Sequence, residues 1–265
     1  MKISLYSSLF NIKKCKFDYK RHLEVFTKFA DEVVISTIED QDDSWGILLE
    51  EAAHNDKIKV VLTEFVPHTP LFDGQMKNAS LQECTGDILV QCDFDECPSM
   101  DNLDMWVQLW GMLFTEDKFQ AAFVPVINLY KDVNHFSDIG AKWYVHKRGL
   151  FRGAVDFARR EDGTIDTKKS DTCELIDKDG KLVPTLRYFD LGQFKTWEEA
   201  IGFVKQQRLP VIYHYGYVDL DRRVEINKEF WAGQWSAEEG SNVKLPESVG
   251  EIQKDYIEHG LNLPL

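Results

Sequence analysis

The chain has 265 residues, of which 43% are apolar and 29% charged, and its formal net charge is −14. These values fit one soluble globular domain with a sizeable core. The acidic charge argues against a nucleic-acid partner, whose phosphates attract basic surfaces. An acidic enzyme can still bind a phosphorylated substrate if a divalent cation lies between the two.

The cysteines and the apolar runs exclude several other classes. No two of the five cysteines form a CxxC pair and their number is odd, which disfavours a zinc site or a disulfide framework. Free thiols in a reducing compartment are therefore expected. No apolar run approaches the roughly 18 residues of a membrane span, and the N-terminus lacks the pattern of a signal peptide. We expect a cytoplasmic protein with no transmembrane segment.

Strand and helix signals alternate along the first half of the chain. Runs rich in β-branched residues predict buried strands, and apolar residues at helical spacing predict the helices between them. Asp18 precedes the first helix, and Ser44 is expected to cap the second, whose apolar positions include Leu48 and Leu49. The predicted strands are 2–5, 32–38, 58–62, 87–92 and 121–130, and later helices are expected at 75–84 and 103–113.

This alternation predicts an α/β fold with a mostly parallel central sheet covered by helices on both faces. Ligands of such sheets bind beyond the carboxyl ends of the strands. The second half differs: Asp162-Gly163 and Asp179-Gly180 signal turns, and Thr196 opens a helix that ends near Arg208. An aromatic strand follows at 211–218. With no internal repeat or low-complexity linker, we predict a single domain.

Two carboxylates end the fourth predicted strand. Asp93 and Asp95 are two residues apart, so their side chains are expected on one side of the strand while Phe94 packs on the other. Carboxylates brought together repel each other unless a hard cation such as Mg²⁺ or Mn²⁺ joins them. The spacing alone is common in solvated acidic turns. The apolar strand before it is what favours a metal site.

The flanking residues add a family resemblance. Segments 77–87 (KNASLQECTGD) and 92–96 (CDFDE) resemble the inverting family-two glycosyltransferases, which have the GT-A fold. That family typically shows Arg-Asn-x-Gly/Ala-Leu-x-x-Ala-x-Gly-Asp, a hydrophobic strand and then Asp-x-Asp-Glu. Here Lys77 replaces the arginine and Cys84 replaces the second alanine. The resemblance covers roughly the first half of the chain.

The resemblance implies roles for further residues. It places Glu39, after the second strand, at the nucleotide base, although the usual Asp-Asp-Gly-Ser turn is replaced here. It places Lys77 near the base and phosphates, and Ser7 and Ser8 in the loop that touches the nucleotide. Asp93 would contact both the donor and the metal. A solvated polar surface residue is the competing interpretation for each of them.

The late segment 214–217 (HYGY) is similar to a His-Tyr-Gly-aromatic segment of such enzymes, in which a late histidine often binds the metal. It implies His214 as a third ligand beside Asp93 and Asp95, against the alternative of a histidine satisfied in the fold. Lys147, Arg148 and Arg152 could contact phosphate. Inverting transfer also needs a carboxylate base. We predict Asp156, with Glu161 and Asp162 as alternatives.

The resulting hypothesis is a glycosyltransferase that uses Mn²⁺ or Mg²⁺. It would move a sugar from a nucleotide-diphosphosugar, expected to be a UDP-sugar, to a glycan, lipid-linked or protein acceptor. Residues from about 1 to 130 would bind the donor, and those from about 131 to 265 the acceptor. One alternative is a sugar nucleotidyltransferase, disfavoured because segment 7–11 (SSLFN) lacks the usual glycines. The other is a non-catalytic protein that binds nucleotide sugars.

Overall fold

Strands and helices alternate along the first part of the chain, and strands dominate the second part. The computed structural model describes residues 1–65, 67, 72–153, 174–226 and 257–258. Its helices are α1 (Tyr19–Phe29), α2 (Ser44–His54), α3 (Phe72–Gln82), α4 (Leu103–Thr115), α5 (Trp197–Gln207) and α6 (Leu220–Ile226). Its strands are β1 (Ile3–Ser8), β2 (Glu32–Ile38), β3 (Ile58–Thr63), β4 (Ile88–Gln91), β5 (Glu96–Pro98), β6 (Ala121–Tyr130), β7 (Asp132–Lys147), β8 (Phe151–Gly153), β9 (Glu174–Ile176), β10 (Thr185–Arg187), β11 (Ile212–Tyr217) and β12 (Ile257–Glu258).

Ten of these strands form one mixed sheet with the order β3-β2-β1-β4-β7-β6-β11-β5. Strands β3, β2, β1 and β4 run parallel. Strand β7 runs antiparallel between β4 and β6, whereas β11 is parallel to β6 and antiparallel to β5. Strands β10 and β12 join β6 and β7, and β8 pairs with β9 in a small separate sheet. The predicted α/β class is confirmed.

Helices cover both faces of the parallel strands, because β1, β2 and β4 bury side chains on both faces. On one face, Leu5 of β1 packs in a cluster with Leu23 of α1 and Trp106 of α4. On the other, Tyr6 of β1 packs with Leu81 of α3. The buried runs in β2 and β4 continue both layers, as expected for strands covered on each side. No helix within the described ranges is long and apolar enough to cross a membrane.

Two helix starts differ from the prediction. The N-cap of α2 is Asp43, whose side chain accepts a hydrogen bond from Gly46 N at 3.2 Å. The hydroxyl of Ser44 instead accepts from Ile12 N at 3.3 Å, which ties the helix to the loop after β1. Leu48 is buried as predicted, but Leu49 is 42% exposed. Helix α3 begins at Phe72, three residues before the predicted start.

The second half contains the largest omission of the sequence prediction. Strand β7 is 16 residues long, and its pairing with β6 shifts register at several points, which breaks simple alternation. The predicted turn at Asp179-Gly180 is confirmed, with Gly180 at a φ of 77°. Thr196 caps α5 as predicted by accepting from Glu199 N at 3.3 Å. The Asp162-Gly163 turn lies outside the described residues.

Gly86 and Asp87, the last residues of segment 77–87, connect the start of β4 to the start of β1 through hydrogen bonds and close packing. Asp87 N donates to Lys2 O at 2.8 Å, and Lys2 N donates to the Asp87 carboxylate at 2.7 Å. A Cβ at Gly86 would lie 2.7 Å from Ser4 N and 3.0 Å from Lys2 O, so backbone atoms fill its place. These two residues therefore set the register of the strand that leads to Asp93.

The exchange Gly86→Ala should lower the free energy of unfolding by about 1–3 kcal/mol, because neighbouring backbone must move to admit the methyl group. The matched control is Gly111→Ala in α4, where a Cβ would meet nothing within 4 Å. That exchange should instead stabilise the protein by about 0.5–1 kcal/mol, since alanine favours a helix over glycine. Urea unfolding of the two variants measures both changes. An unchanged midpoint for Gly86→Ala would contradict the role of Gly86.

Candidate active site

A cavity of about 450 Å³ opens where β1 and β4 end and where β11 passes. Helix α3, helix α6 and the β6–β7 pair provide its other walls. Its wall carries charges of both signs, which is unusual for a packing void. The charged and ionisable residues that line it are Asp73, Lys77, Asp93, Asp95, Glu96, Lys142, Tyr144, Arg152, His214 and Arg223.

The acidic turn after β4, residues 93–96, is held in place by a buried aromatic contact and by a backbone hydrogen bond. Phe94 is 2% exposed, and its ring meets that of Phe26 on α1 at 5.5 Å between centroids. Glu96 N donates to Asp93 O at 2.9 Å, and Glu96 then starts β5, which pairs with β11 opposite His214. Since Phe94 is held in the core, the side chains on either side of it, Asp93 and Asp95, face the cavity as predicted.

Lys77 neutralises Asp93. Its Nζ lies 2.8 Å from Asp93 Oδ2 and 3.1 Å from Asp73 Oδ1, and the side chain is almost fully buried. Burial alone would lower the pKa of the Lys77 ammonium, but Asp73 and Asp93 outweigh this and raise the pKa above its usual value. Lys77 therefore remains charged in the cavity wall. The lysine that replaces the family's usual arginine does reach the acidic turn.

Arg152 brings a second buried cation to the same wall. Asn78 clamps its backbone on β8: Arg152 N donates to Asn78 Oδ1 and Asn78 Nδ2 donates to Arg152 O, both at 2.7 Å. The guanidinium donates to Gln91 Oε1 at 2.5 Å and lies 4.0 Å from Asp73. Of the three predicted phosphate contacts, Arg152 lines the cavity. Lys147 instead donates to Glu116 O at 3.1 Å and, like Arg148, is not part of the cavity wall.

Asp95 and His214, which both line the cavity, are in contact through their side chains. His214 Nε2 lies 3.3 Å from Asp95 Oδ2, and Arg223 Nη1 lies 3.9 Å from the same oxygen. Burial would raise the pKa of the Asp95 carboxyl, but a positive charge on His214, together with Arg223, outweighs burial and holds the pKa far below its usual range. Asp95 is therefore a carboxylate at neutral pH. The structure brings together two of the three predicted metal ligands, while Asp93 is engaged by Lys77.

The neutral form of His214 would present a lone pair to that carboxylate. Its Nδ1 lies 2.6 Å from Asn128 Oδ1, an oxygen that can only accept, so Nδ1 carries the proton. In the neutral ring Nε2 then has no hydrogen and faces Asp95 Oδ2 with its lone pair. Two electron-rich atoms at this separation repel each other unless a cation lies between them. That cation is either a proton on Nε2 or a metal ion.

Gly216 leaves the space that this pair needs. A Cβ at position 216 would lie 2.4 Å from His214 Nε2 and 3.1 Å from Asp95 Oδ2. The pairing of β11 with β6 shifts register between His214 and Tyr217, which turns the backbone at this point. The glycine of the predicted His-Tyr-Gly segment is thus explained by close approach to the pair.

The pair fits a divalent cation. Ligands at right angles on an ion such as Mg²⁺, with bonds of about 2.1 Å, lie about 3 Å apart, close to the 3.3 Å observed here. Carboxylate oxygen and imidazole nitrogen are both ordinary ligands of Mn²⁺. Within the described ranges, no three His, Cys, Asp or Glu side chains form a preformed metal cluster. A cation bound by Asp95 and His214 would keep positions open for substrate oxygens.

Glu39 lines a second cavity, of about 560 Å³, at the ends of β2 and β3. Asp40 beside it is occupied by the loop, since its carboxylate accepts from the backbone N–H groups of Asn11, Asp42 and Ser44 at 2.7–3.0 Å. Glu39 itself is exposed on the cavity. The predicted base-binding residue is therefore at a strand end, as expected, but in a different cavity from the acidic turn.

The two serines that end β1 face opposite sides of the strand. Ser8 lines the first cavity. Ser7 is fully buried, because side chains alternate along a strand and Ser7 faces the opposite side. Its hydroxyl has no hydrogen-bond partner among the described residues. The expectation that both serines reach a nucleotide is corrected for Ser7. The predicted base Asp156 and its alternatives Glu161 and Asp162 lie outside the described residues.

The sequence prediction missed several residues of this site, among them Arg223, Asn128 and Tyr144. Arg223 comes from α6, an element that was not predicted, and its guanidinium stacks over Tyr217 at 4.8 Å. Asn128 lies near the end of β6, where a lone polar residue in an apolar strand was the available signal. Tyr144 donates to the Glu96 carboxylate from β7, a strand that was not predicted.

Comparisons with known proteins give distant structural likenesses. No protein-family model matches the sequence, and no curated protein matches it significantly. TarS 1–349 from S. aureus in complex with UDP is 20% identical over 51% of this chain and 37% of that chain, with a TM-score of 0.36. The mannosyltransferase PcManGT from Pyrobaculum calidifontis, in complex with GDP-Man and Mn²⁺, is 16% identical over 49% and 35%, with a TM-score of 0.36. HddC from Yersinia pseudotuberculosis is 11% identical over 71% and 90%, with a TM-score of 0.41. These likenesses assign no family to the chain, which spans about a third of the first two chains.

The exchange Gly216→Ala should weaken Mn²⁺ binding at least about tenfold, or 1.4 kcal/mol, because the methyl group displaces His214 from Asp95. Titration calorimetry with MnCl₂ measures the affinity. Gly202→Ala in α5 is the matched control, since a Cβ there meets nothing within 4 Å and should leave the affinity unchanged. Equal Mn²⁺ affinity in the Gly216→Ala variant and the wild type would contradict the proposed use of this space.

Proposed function

We propose that the chain is a divalent-metal-dependent glycosyltransferase that moves a sugar from a nucleotide-diphosphosugar, with a UDP-sugar as the expected donor, to an acceptor hydroxyl. The observation that carries the proposal is the Asp95–His214 pair, in which Asp95 Oδ2 and His214 Nε2 face each other at 3.3 Å over a cavity. The resemblance of segments 77–87 and 92–96 to inverting family-two GT-A enzymes supports the same function.

The charges of the cavity wall suit a diphosphate. Three cations, Lys77, Arg152 and Arg223, line the cavity from α3, β8 and α6. They would contact the negative oxygens of the donor. Arginine guanidinium groups pair well with phosphate oxygens in a fork geometry. When bound by Asp95 and His214, Mn²⁺ or Mg²⁺ would neutralise charge that develops on the leaving diphosphate. In this account Asp93, neutralised by Lys77, contacts the donor rather than competing for the cation.

Two buried residues, Glu96 and Tyr144, hold the acidic turn in place. The Glu96 carboxylate accepts hydrogen bonds from Asp93 N at 3.0 Å and from the Tyr144 hydroxyl. Burial, followed by the charge of Asp93, raises the pKa of Glu96 above its usual value. Electrostatic stabilisation of a transition state is strongest where such groups are fixed before reaction and water is excluded. Glu96 and Tyr144 thus position the turn.

The second cavity would take the nucleotide base. Both cavities open at the carboxyl ends of the parallel strands, where ligands of α/β sheets bind, and Glu39 offers an exposed carboxylate that can accept from a base N–H. The acceptor hydroxyl would attack the anomeric carbon while a carboxylate removes its proton. Asp156 is the proposed base, and a glycan, lipid-linked or protein hydroxyl the proposed acceptor. A single in-line attack of this kind inverts the anomeric configuration.

The exchange Asp95→Asn should reduce Mn²⁺-dependent release of nucleoside diphosphate from UDP-sugars at least about 100-fold, a loss typical when one fixed electrostatic contact is removed. The amide keeps the shape of the side chain but loses its charge. The assay uses a panel of UDP- and GDP-sugars, with and without EDTA, and quantifies the nucleotide product by chromatography.

Asp117→Asn is the matched control, because Asp117 is fully exposed and is not one of the residues that line the cavity, and it should retain full activity. Full activity in the Asp95→Asn variant would contradict the proposal. Release of pyrophosphate instead of nucleoside diphosphate would indicate a nucleotidyltransferase. Binding of a nucleotide sugar with no turnover across many acceptors would indicate a binding protein.

A further inference from the structure

We propose that Asn128 and Asp138 are positioning residues that fix which nitrogen of His214 carries the proton. The proposal rests on the proposed metal-dependent function for its purpose, since the nitrogen it keeps free is the one that faces Asp95. Its geometry, however, is a property of the protein alone. The pair gives His214 the tautomer that a metal ligand at Nε2 requires.

The three residues lie side by side on neighbouring strands. Asp138 of β7 is in register with Asn128 of β6, and Asn128 is in register with His214 of β11. The Asn128 Nδ2 group donates to Asp138 Oδ1, and Asn128 Oδ1 lies 2.6 Å from His214 Nδ1. A continuous row of hydrogen bonds therefore crosses three strands and ends at the imidazole.

The direction of this row follows from the chemistry of Asp138. An ionised carboxylate only accepts hydrogen bonds, so the amide of Asn128 must turn its NH₂ group toward Asp138. The amide oxygen is then left for His214, and it can only accept from Nδ1–H. Ser137 donates to the other carboxylate oxygen, Oδ2, at 2.8 Å, which holds Asp138 in place. The charge on Asp138 thus decides the tautomer of a ring two strands away.

This arrangement opposes the local preference of His214. With Asp95 Oδ2 only 3.3 Å away, a neutral imidazole would gain a hydrogen bond by carrying its proton on Nε2. A proton there would occupy the lone pair that a metal ion needs. The Asp138–Asn128 row stabilises the opposite tautomer. A simple cross-strand ladder with only a structural role would have no effect on this choice.

The exchange Asp138→Asn tests the proposal because it keeps the shape of the side chain and removes its charge. The Asn128 amide is then free to turn and present its NH₂ group to His214. Long-range ¹⁵N–¹H correlation spectra of the metal-free protein, in buffer well above the ordinary His pKa of about 6.5, should show His214 shifting from the Nδ1–H to the Nε2–H form. The Kd for Mn²⁺ should rise about 10- to 100-fold.

A double variant that exchanges the two side chains should restore the wild-type tautomer of His214. In Asn128→Asp/Asp138→Asn, the carboxylate at position 128 accepts from both His214 Nδ1–H and the new amide at position 138. The Nδ1–H form and Mn²⁺ affinity within about threefold of wild type should return. Ser137→Ala is the matched control, since it removes a contact of Asp138 but keeps the Asn128–Asp138 bond, and it should retain the Nδ1–H form.

Three outcomes separate this proposal from the proposed function. An unchanged His214 tautomer in a folded Asp138→Asn variant would overturn the positioning role, and so would a double variant that stays in the Nε2–H form. If the tautomer shifts as expected but the wild-type protein binds no Mn²⁺, the proposed metal-dependent function is overturned and the positioning role stands. Thermal melts of each variant establish that it is folded.

Discussion

The meeting of a carboxylate with an imidazole lone pair is the constraint on which the site depends. Asp95 stays ionised, and His214 presents Nε2 to it at 3.3 Å because Nδ1 is engaged by Asn128. Two such groups are unfavourable neighbours in a half-buried setting unless a positive charge joins them. Arg223 Nη1 lies 3.9 Å from Asp95 Oδ2, and Lys77 pairs with Asp93 instead. We propose that this positive charge is a divalent cation and that the pair is half of its coordination site.

The sheet assembles this pair from residues 119 positions apart. Strand β4 delivers the acidic turn, and Phe94 in the core fixes its orientation. Strand β5 then turns back and pairs with β11, which sets His214 beside the turn. Gly216 leaves the remaining space open. The other carboxylate, Asp93, has its own buried partner in Lys77, which relieves the repulsion between the two aspartates and gives each a separate task.

Elements whose structure depends on neighbouring residues in the chain could be predicted from the sequence. The strands at 32–38 and 121–130 were predicted with their observed bounds, because β-branched and apolar runs between turns leave few alternatives. Strand β7 was missed because Asp138 and Gly140 interrupt its apolar pattern and its register shifts. Asn128 and Arg223 acquire their roles only from pairing across the sheet or from packing of α6, so no spacing in the sequence reveals them. Ser7 was misplaced because strand β1 turns its hydroxyl away from the cavity.

Pulsed electron paramagnetic resonance of the Mn²⁺-loaded protein, with all histidines labelled with ¹⁵N, tests whether Asp95 and His214 share a cation. We expect a ¹⁵N coupling from one directly bound imidazole in the wild type. In His214→Gln that coupling should be lost, while substitution of the distant, exposed His54 should leave it intact. A bound Mn²⁺ with no histidine coupling, or a coupling that survives in His214→Gln, would contradict the claim that Asp95 and His214 share a cation.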